Sequence, residues 1–144
     1  MDLFLPELPM IRRLAACLLA ALVVLPAGSA LAACVQKDVA GIWQVYSLGY
    51  QRGYEPYWTR CVLQVNAAGN FLNGTKCADM LGREVAASGQ LRLSSGPICS
   101  FVGHIAYAGI RSDVRHATLD RAKNHIDGVG VFGGGGFFFN ATRR

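Results

Sequence analysis

A chain of 144 residues with five cysteines and a net charge of +5 has room for one mid-sized domain. Its basic residues are scattered and form neither a basic run nor a recognisable nucleic-acid-binding module, which argues against nucleic acid as a partner. A charge balance of this kind is typical of a soluble protein, and it would also suit an acidic partner or an anionic envelope surface.

The N-terminal segment has the pattern of a cleavable export signal. Arg12-Arg13 precede an uncharged apolar run over residues 14–25, and Ala30-Leu31-Ala32 supplies a small-x-small cleavage site. The apolar run is shorter than the roughly 20 residues that span a bilayer. We therefore predict a signal helix within residues 1–33, removed on export, and a mature domain of residues 34–144.

The cysteines that remain after cleavage indicate an oxidising compartment, either periplasmic or extracellular. They form an even set, which is suited to two disulfides. Leu31-Ala32-Ala33-Cys34 also resembles the bacterial lipobox, in which the cysteine after the cut is acylated and anchors the protein to a membrane. Lipidation of Cys34 would leave three cysteines, so the soluble form is favoured and membrane attachment is the alternative. The four cysteines are Cys34, Cys61, Cys77 and Cys99.

The mature chain is predicted to be all-β. Short β-prone segments are separated by Gly, Asn or Pro clusters, and no segment after residue 40 repeats apolar residues at helical spacing. About eight strands in so short a chain favour a small antiparallel up-and-down barrel, because closure removes exposed edges. A β-sandwich has the same period-two pattern and is the alternative. The predicted strands are residues 42–48, 58–66, 71–77, 85–93, 99–107, 114–121, 125–132 and 137–143.

Residues 46–58 are interpreted as a long aromatic loop between the first two predicted strands. Aromatic-rich loops at the mouth of a barrel are common sites of ligand or partner binding. We therefore predict that these side chains bind a small apolar ligand or a protein partner. The alternative is that the tyrosines cap a small core. The predicted binding residues in this segment are Tyr46, Tyr50, Tyr54, Tyr57 and Trp58.

The clearest local element is a hairpin around Gly69. Alternating apolar residues give its first strand one apolar face. A three-residue loop over residues 68–70, in which Gly69 supplies a positive φ, places Cys61 directly opposite Cys77. Cross-strand neighbours are close enough to form a disulfide when the pair tightens. The predicted pairings are therefore Cys61 with Cys77 and Cys34 with Cys99.

The C-terminal third is rich in glycine and phenylalanine. Residues 128–133 match the letters of the dinucleotide fingerprint G-x-G-x-x-G, but the helix that must follow the fingerprint is not predicted. Residues 133–136 are predicted to connect the last two strands. Phe138 must point away from Phe137 and Phe139, so it either plugs the end of the barrel or contacts a ligand or partner.

Polar side chains do not form a recognisable catalytic or metal-binding motif. His125 and Asp127 share a strand face, and His104 and His116 lie on neighbouring predicted strands, but their spacing is not that of a zinc site. Serine, histidine and aspartate are all present, yet no G-x-S-x-G elbow accompanies them. We therefore predict no catalytic residue, no metal and no cofactor.

Gly41-Ile42-Trp43 resembles the G-x-W opening strand of calycin-type barrels such as lipocalins, avidins and small periplasmic metalloprotease inhibitors. The inhibitors also carry two cysteines that are placed similarly to Cys61 and Cys77. The resemblance implies a barrel whose one end is closed by Trp43. It also implies an N-terminal segment that enters a protease cleft, although a bond from Cys34 to Cys99 departs from that pattern.

These patterns together predict an exported, non-enzymatic β-barrel that binds a small apolar ligand or a protein partner. Three alternatives belong to other classes: a periplasmic protease inhibitor, an envelope lipoprotein with a structural role, and a small hydrolase. The identity of the ligand or partner does not follow from the sequence.

Overall fold

The structure is a computed structural model, which describes residues 34–79, 81–94 and 98–144. These residues belong to one compact unit. The predicted signal peptide lies outside the described residues. Within the described part of the chain, no helix has the length and apolar character required to cross a bilayer.

Eight antiparallel strands form a closed barrel, in which each strand pairs with its neighbours in the chain and the last strand pairs with the first. A short 3₁₀ helix over Gln36–Val39 precedes the barrel. The predicted up-and-down barrel is confirmed, and the sandwich alternative is wrong. The strands are β1 (Gly41–Gln51), β2 (Tyr57–Val65), β3 (Lys76–Asp79), β4 (Glu84–Leu93), β5 (Ser100–Tyr107), β6 (Ile110–Leu119), β7 (His125–Phe132) and β8 (Gly135–Arg143).

Period-two alternation explains why these segments form strands around one core. On β2, Cys61, Leu63 and Val65 are buried, whereas Trp58 and Arg60 are exposed. The inward side chains of the other strands meet those of β2 along the barrel axis. The largest fully buried side chains are Trp43, Phe101, Ile126, Val39 and Cys77.

Two disulfides join the four described cysteines in the pairings that the sequence predicts. Cys61 and Cys77 lie directly opposite each other on β2 and β3, with their Cα atoms 4.0 Å apart. Cys34 precedes the 3₁₀ helix and Cys99 precedes β5. The second disulfide therefore fastens the N-terminal segment to the barrel.

The β2–β3 connection is longer than the predicted three-residue loop. Val65 pairs with Phe71, and Gly69 has the predicted positive φ, at +81°. A further turn around Gly74, where φ is +94°, interrupts the strand that was predicted to begin at residue 71. The regular part of β3 therefore starts at Lys76, although the cysteines keep their predicted register.

Glycines on β7 make room for phenylalanine rings on β8. Gly128 lies opposite Phe139, and Gly130 lies opposite Phe137. A Cβ atom at either glycine would overlap the facing ring. Gly128 and Gly130 are thus explained by packing inside a sheet, where a phenylalanine covers each of them, whereas Gly133 lies in the β7–β8 turn.

Trp43 occupies the end of the barrel at which β1 begins, as the calycin resemblance implies. Its side chain is 1% exposed, and its Nε1 donates a hydrogen bond of 2.8 Å to the Val39 carbonyl oxygen. The Arg143 guanidinium lies 4.6 Å from the centre of the indole ring and donates to the Ala40 and Asp38 carbonyl oxygens. These contacts tie both ends of the described chain to the same core.

Candidate functional site

The barrel interior leaves little space for a ligand. The cavity on the barrel axis measures about 60 Å³, whereas ligand sites usually measure about 300–1,000 Å³. Hydroxyl groups line part of it: Thr59 Oγ1 lies 3.3 Å from Tyr107 Oη, and Ser112 is buried beside them. A cavity of this size and polarity suits one or two water molecules.

Tyr57 lies at the mouth of this interior. Its ring packs over Gly49, where a Cβ atom would lie 2.6 Å from the ring, and meets Phe132 edge to face at 5.6 Å. Burial, together with the nearby Tyr107 phenol, raises the pKa of Tyr57 to about 12. The structure therefore places this predicted binding residue in the packed mouth of the barrel.

The outer wall of the barrel carries a contiguous set of exposed apolar side chains, which we call the outer aromatic face. Its members are spread over four neighbouring strands, β2, β1, β8 and β7. Phe138 is 61% exposed, which is unusual for so large an apolar side chain in mid-strand. The face consists of Tyr46, Leu48, Tyr50, Trp58, Val129 and Phe138.

Strand register makes the face continuous. Leu48 lies directly opposite Trp58 on one side and opposite Phe138 on the other. Phe138 in turn lies opposite Val129. Cross-strand neighbours of this kind have Cβ atoms about 4.5–5.5 Å apart. Four apolar side chains thus form one unbroken row across four strands, with Tyr46 and Tyr50 on either side of Leu48 along β1.

A groove of about 820 Å³ crosses this face. Tyr46, Leu48, Trp58, Val129 and Phe138 supply most of its apolar lining. Its volume lies within the range of ligand sites. Polar groups lie along one edge of the groove, where they bond mainly to one another: Thr118 Oγ1 is 3.0 Å from His116 Nε2, and Asp127 is 3.2 Å from His125.

The outer aromatic face is comparable in area to the largest apolar patch of a typical monomer. A covered aromatic side chain buries about 150–250 Å², so four that are about half exposed present roughly 400 Å². The largest apolar patch on a typical monomer measures about 300–600 Å² and is often functional. The outward side chains of β4, by contrast, include Ser88, Gln90 and Arg92.

The outer aromatic face unites four of the six predicted binding residues, namely Tyr46, Tyr50, Trp58 and Phe138. Tyr57 is at the barrel mouth, and Tyr54 is 72% exposed in the β1–β2 turn. The predicted long loop over residues 46–58 is wrong, because β1 and β2 extend into it and leave only residues 52–56 between them. Leu48 and Val129 were not predicted, because an apolar residue in a strand resembles a core residue until its direction is known. Leu48 and Val129 lie on the same side of the barrel wall as Phe138, because each is directly opposite it on a neighbouring strand. This relation can be found only once the strand pairing is known.

Other polar residues have local structural roles. The Ser94 and Ser100 hydroxyls bond to each other at 2.6 Å. Asp120 accepts backbone N–H groups of Asn124 and His125 in the β6–β7 turn, and these bonds lower its pKa. Among residues 34–79, 81–94 and 98–144, no three His, Cys, Asp or Glu side chains are grouped to hold a metal ion.

No protein-family model and no curated protein matches the chain. Solved structures of designed β-barrels are similar in fold. A redesigned barrel, b11L5F_LGL, matches with a TM-score of 0.55 and 16% identity over 77% of this chain and 96% of its own. EF1p2_mFAP2b bound to DFHBI matches with a TM-score of 0.55 and 13% identity, covering 76% and 99% of the two chains. The redesigned barrel mFAP1 bound to DFHBI matches with a TM-score of 0.54 and 12% identity, covering 78% of this chain and 100% of its own.

Proposed function

We propose that the chain is an exported, non-enzymatic binding protein that engages an apolar partner with its outer aromatic face. The observation that carries this proposal is the exposed row from Trp58 through Leu48 and Phe138 to Val129, above a groove of ligand-site volume. Removing such a surface from water favours binding by about 25 cal/mol per Å² of apolar area.

Two further observations support a binding role. The interior cavity, at about 60 Å³, is too small for an aromatic ligand, so the outer wall is the better candidate. Two of the similar barrels are bound to DFHBI, which supports a small ligand as one class of partner. Because the outer aromatic face is apolar, a neutral apolar fluorophore is a suitable first probe.

Replacing Phe138 by serine is expected to weaken binding of N-phenyl-1-naphthylamine about tenfold, because the most exposed ring of the face is removed. The measurement is a fluorescence titration of the disulfide-intact protein. Since Phe138 is 61% exposed, its replacement should change the free energy of unfolding by less than about 1 kcal/mol.

Two control variants locate the site. Val102, on β5 outside the face, is 39% exposed like Val129, so V102S should bind the probe as the original protein does while V129S should bind more weakly. Ser112→Val fills the interior cavity and should leave binding unchanged. If S112V abolishes binding while F138S has no effect, the ligand site is the interior and the proposal is wrong.

The N-terminal segment is held in place rather than free. The Gln36 side chain donates to the Leu91 carbonyl oxygen at 3.0 Å and accepts the Leu93 N–H at 2.7 Å, and Cys34 is bonded to Cys99. Insertion into a protease cleft would require these contacts to break. The arrangement therefore disfavours the protease-inhibitor alternative.

The Cys34–Cys99 disulfide also bears on localisation. Two disulfides suit an oxidising compartment, and a Cys34 sulfur bonded to Cys99 is not available for a diacylglyceryl thioether. We expect a soluble periplasmic or secreted protein whose intact mass rises by about four hydrogen atoms on reduction, two for each disulfide. A diacyl or triacyl mass on Cys34 in protein purified from its own host would instead establish the lipoprotein alternative.

A further inference from the structure

We infer that the outer aromatic face docks on the surface of an anionic lipid bilayer, an inference that rests on the proposed function and specifies its partner. The exposed members of the face lie towards the end of the barrel that carries the β1–β2 turn, where Tyr54 is 72% exposed. The turn adds a further exposed aromatic side chain at this end of the barrel.

The aromatic side chains have the chemistry of a membrane interface. Tyrosine and tryptophan concentrate at the headgroup level of bilayers, because one end of each ring is apolar and the other end forms hydrogen bonds. The Tyr46 hydroxyl already accepts a hydrogen bond of 2.6 Å from Gln44 at the polar edge of the face. Phe138 and Leu48, at the centre, have no polar atom and suit the acyl boundary.

Cations border the face. Arg60 is exposed on β2 directly opposite Tyr46, and Arg52 is exposed in the β1–β2 turn. Neither guanidinium forms an ion pair within the described residues. On the other flank, Arg111 and Arg115 share the single carboxylate of Asp113, at 3.2 and 4.0 Å. Two exposed carboxylates offset part of this charge, Glu55 in the β1–β2 turn and Asp127 beside the groove. Four arginines against the carboxylates of Glu55, Asp113 and Asp127 leave the border with one net positive charge, which is complementary to anionic headgroups.

A second copy of the chain fits this face less well. The net charge of +5 would bring two positively charged chains together, which opposes a dimer. A planar anionic surface needs no matching patch and turns the same charge into attraction, so the charge favours a bilayer.

The test is co-sedimentation of the disulfide-intact protein with vesicles. Phosphatidylcholine vesicles are compared with vesicles of equimolar phosphatidylcholine and phosphatidylglycerol. We expect binding to the mixed vesicles and a blue shift of Trp58 fluorescence, since Trp43 is already buried. F138S should lower the partition coefficient about tenfold, and V102S should leave it unchanged.

Charge variants test the electrostatic part. R52Q and R60Q should each lower binding to the mixed vesicles about fivefold, and neither should alter binding of neutral N-phenyl-1-naphthylamine. Equal binding to both kinds of vesicle would overturn the inference. A protein that binds neither kind of vesicle would also overturn the inference. This includes the case in which the protein instead forms a stable dimer through the face.

The vesicle and fluorophore experiments separate the two proposals. If F138S abolishes fluorophore binding but the original protein does not bind vesicles, the outer aromatic face binds small apolar ligands and only the lipid inference fails. If F138S changes neither measurement, the face is not a binding surface and both proposals fail.

Discussion

Replacing Trp43 by alanine is expected to lower the free energy of unfolding by about 3–5 kcal/mol. The indole is 1% exposed, closes one end of the barrel and contacts Arg143 across its ring face. Its removal opens a cavity and leaves the Val39 carbonyl oxygen without its 2.8 Å donor. Urea denaturation followed by far-ultraviolet circular dichroism measures the change.

Trp58 provides the matched control, because it is the other tryptophan of the chain and lies 48% exposed on the outer wall. W58A should change the free energy of unfolding by less than about 1 kcal/mol. If W43A unfolds at the same urea concentration as the original protein, Trp43 does not close the end of the barrel. Equal losses for the two variants would mean that both indoles are packing residues.

Removal of either disulfide is also expected to lower the free energy of unfolding by several kcal/mol. Loop-closure entropy predicts a loss of about 4 kcal/mol for the C34A/C99A double variant. The shorter loop of C61A/C77A gives a loss of about 3 kcal/mol. The corresponding sequence separations are 65 and 16 residues. Chemical denaturation under non-reducing conditions compares the two double variants with the original protein.

The stability of C34A/C99A tests whether the N-terminal segment is fastened to the barrel. If C34A/C99A is as stable as the original, the Cys34–Cys99 bond does not fasten the N-terminal segment to the barrel, and the side-chain contacts of Gln36 with β4 are left to hold it. Such a result would reopen the protease-inhibitor and lipoprotein alternatives. A loss in both variants is consistent with a small core that depends on covalent links.

Short β-prone segments were enough to predict an all-β chain, and about eight of them in so short a chain favoured a barrel over a sandwich. They located seven of the eight strands, and opposing positions in one hairpin predicted the Cys61–Cys77 bond. β3 was misplaced because Gly74 breaks the segment that begins at Phe71, and a glycine can bend a strand or end it. Local sequence does not distinguish these two outcomes.

The candidate site was only partly predictable. Phe138 was assigned a direction opposite to its neighbours, which the strand parity of three consecutive phenylalanines requires. Tyr57 and Trp58 were grouped, although adjacent residues on β2 must face opposite sides of the barrel wall. Leu48 and Val129 join Phe138 only because β8 pairs with both β1 and β7, a long-range register that no local pattern contains.

The most direct test of the central claim is a nuclear magnetic resonance titration of the isotope-labelled protein with N-phenyl-1-naphthylamine. The outer aromatic face predicts shift changes at Leu48, Trp58 and Phe138, with little change at Tyr107 and Ser112, which line only the interior. Shift changes confined to Tyr107, Ser112 and their interior neighbours would place the ligand inside the barrel and contradict the account.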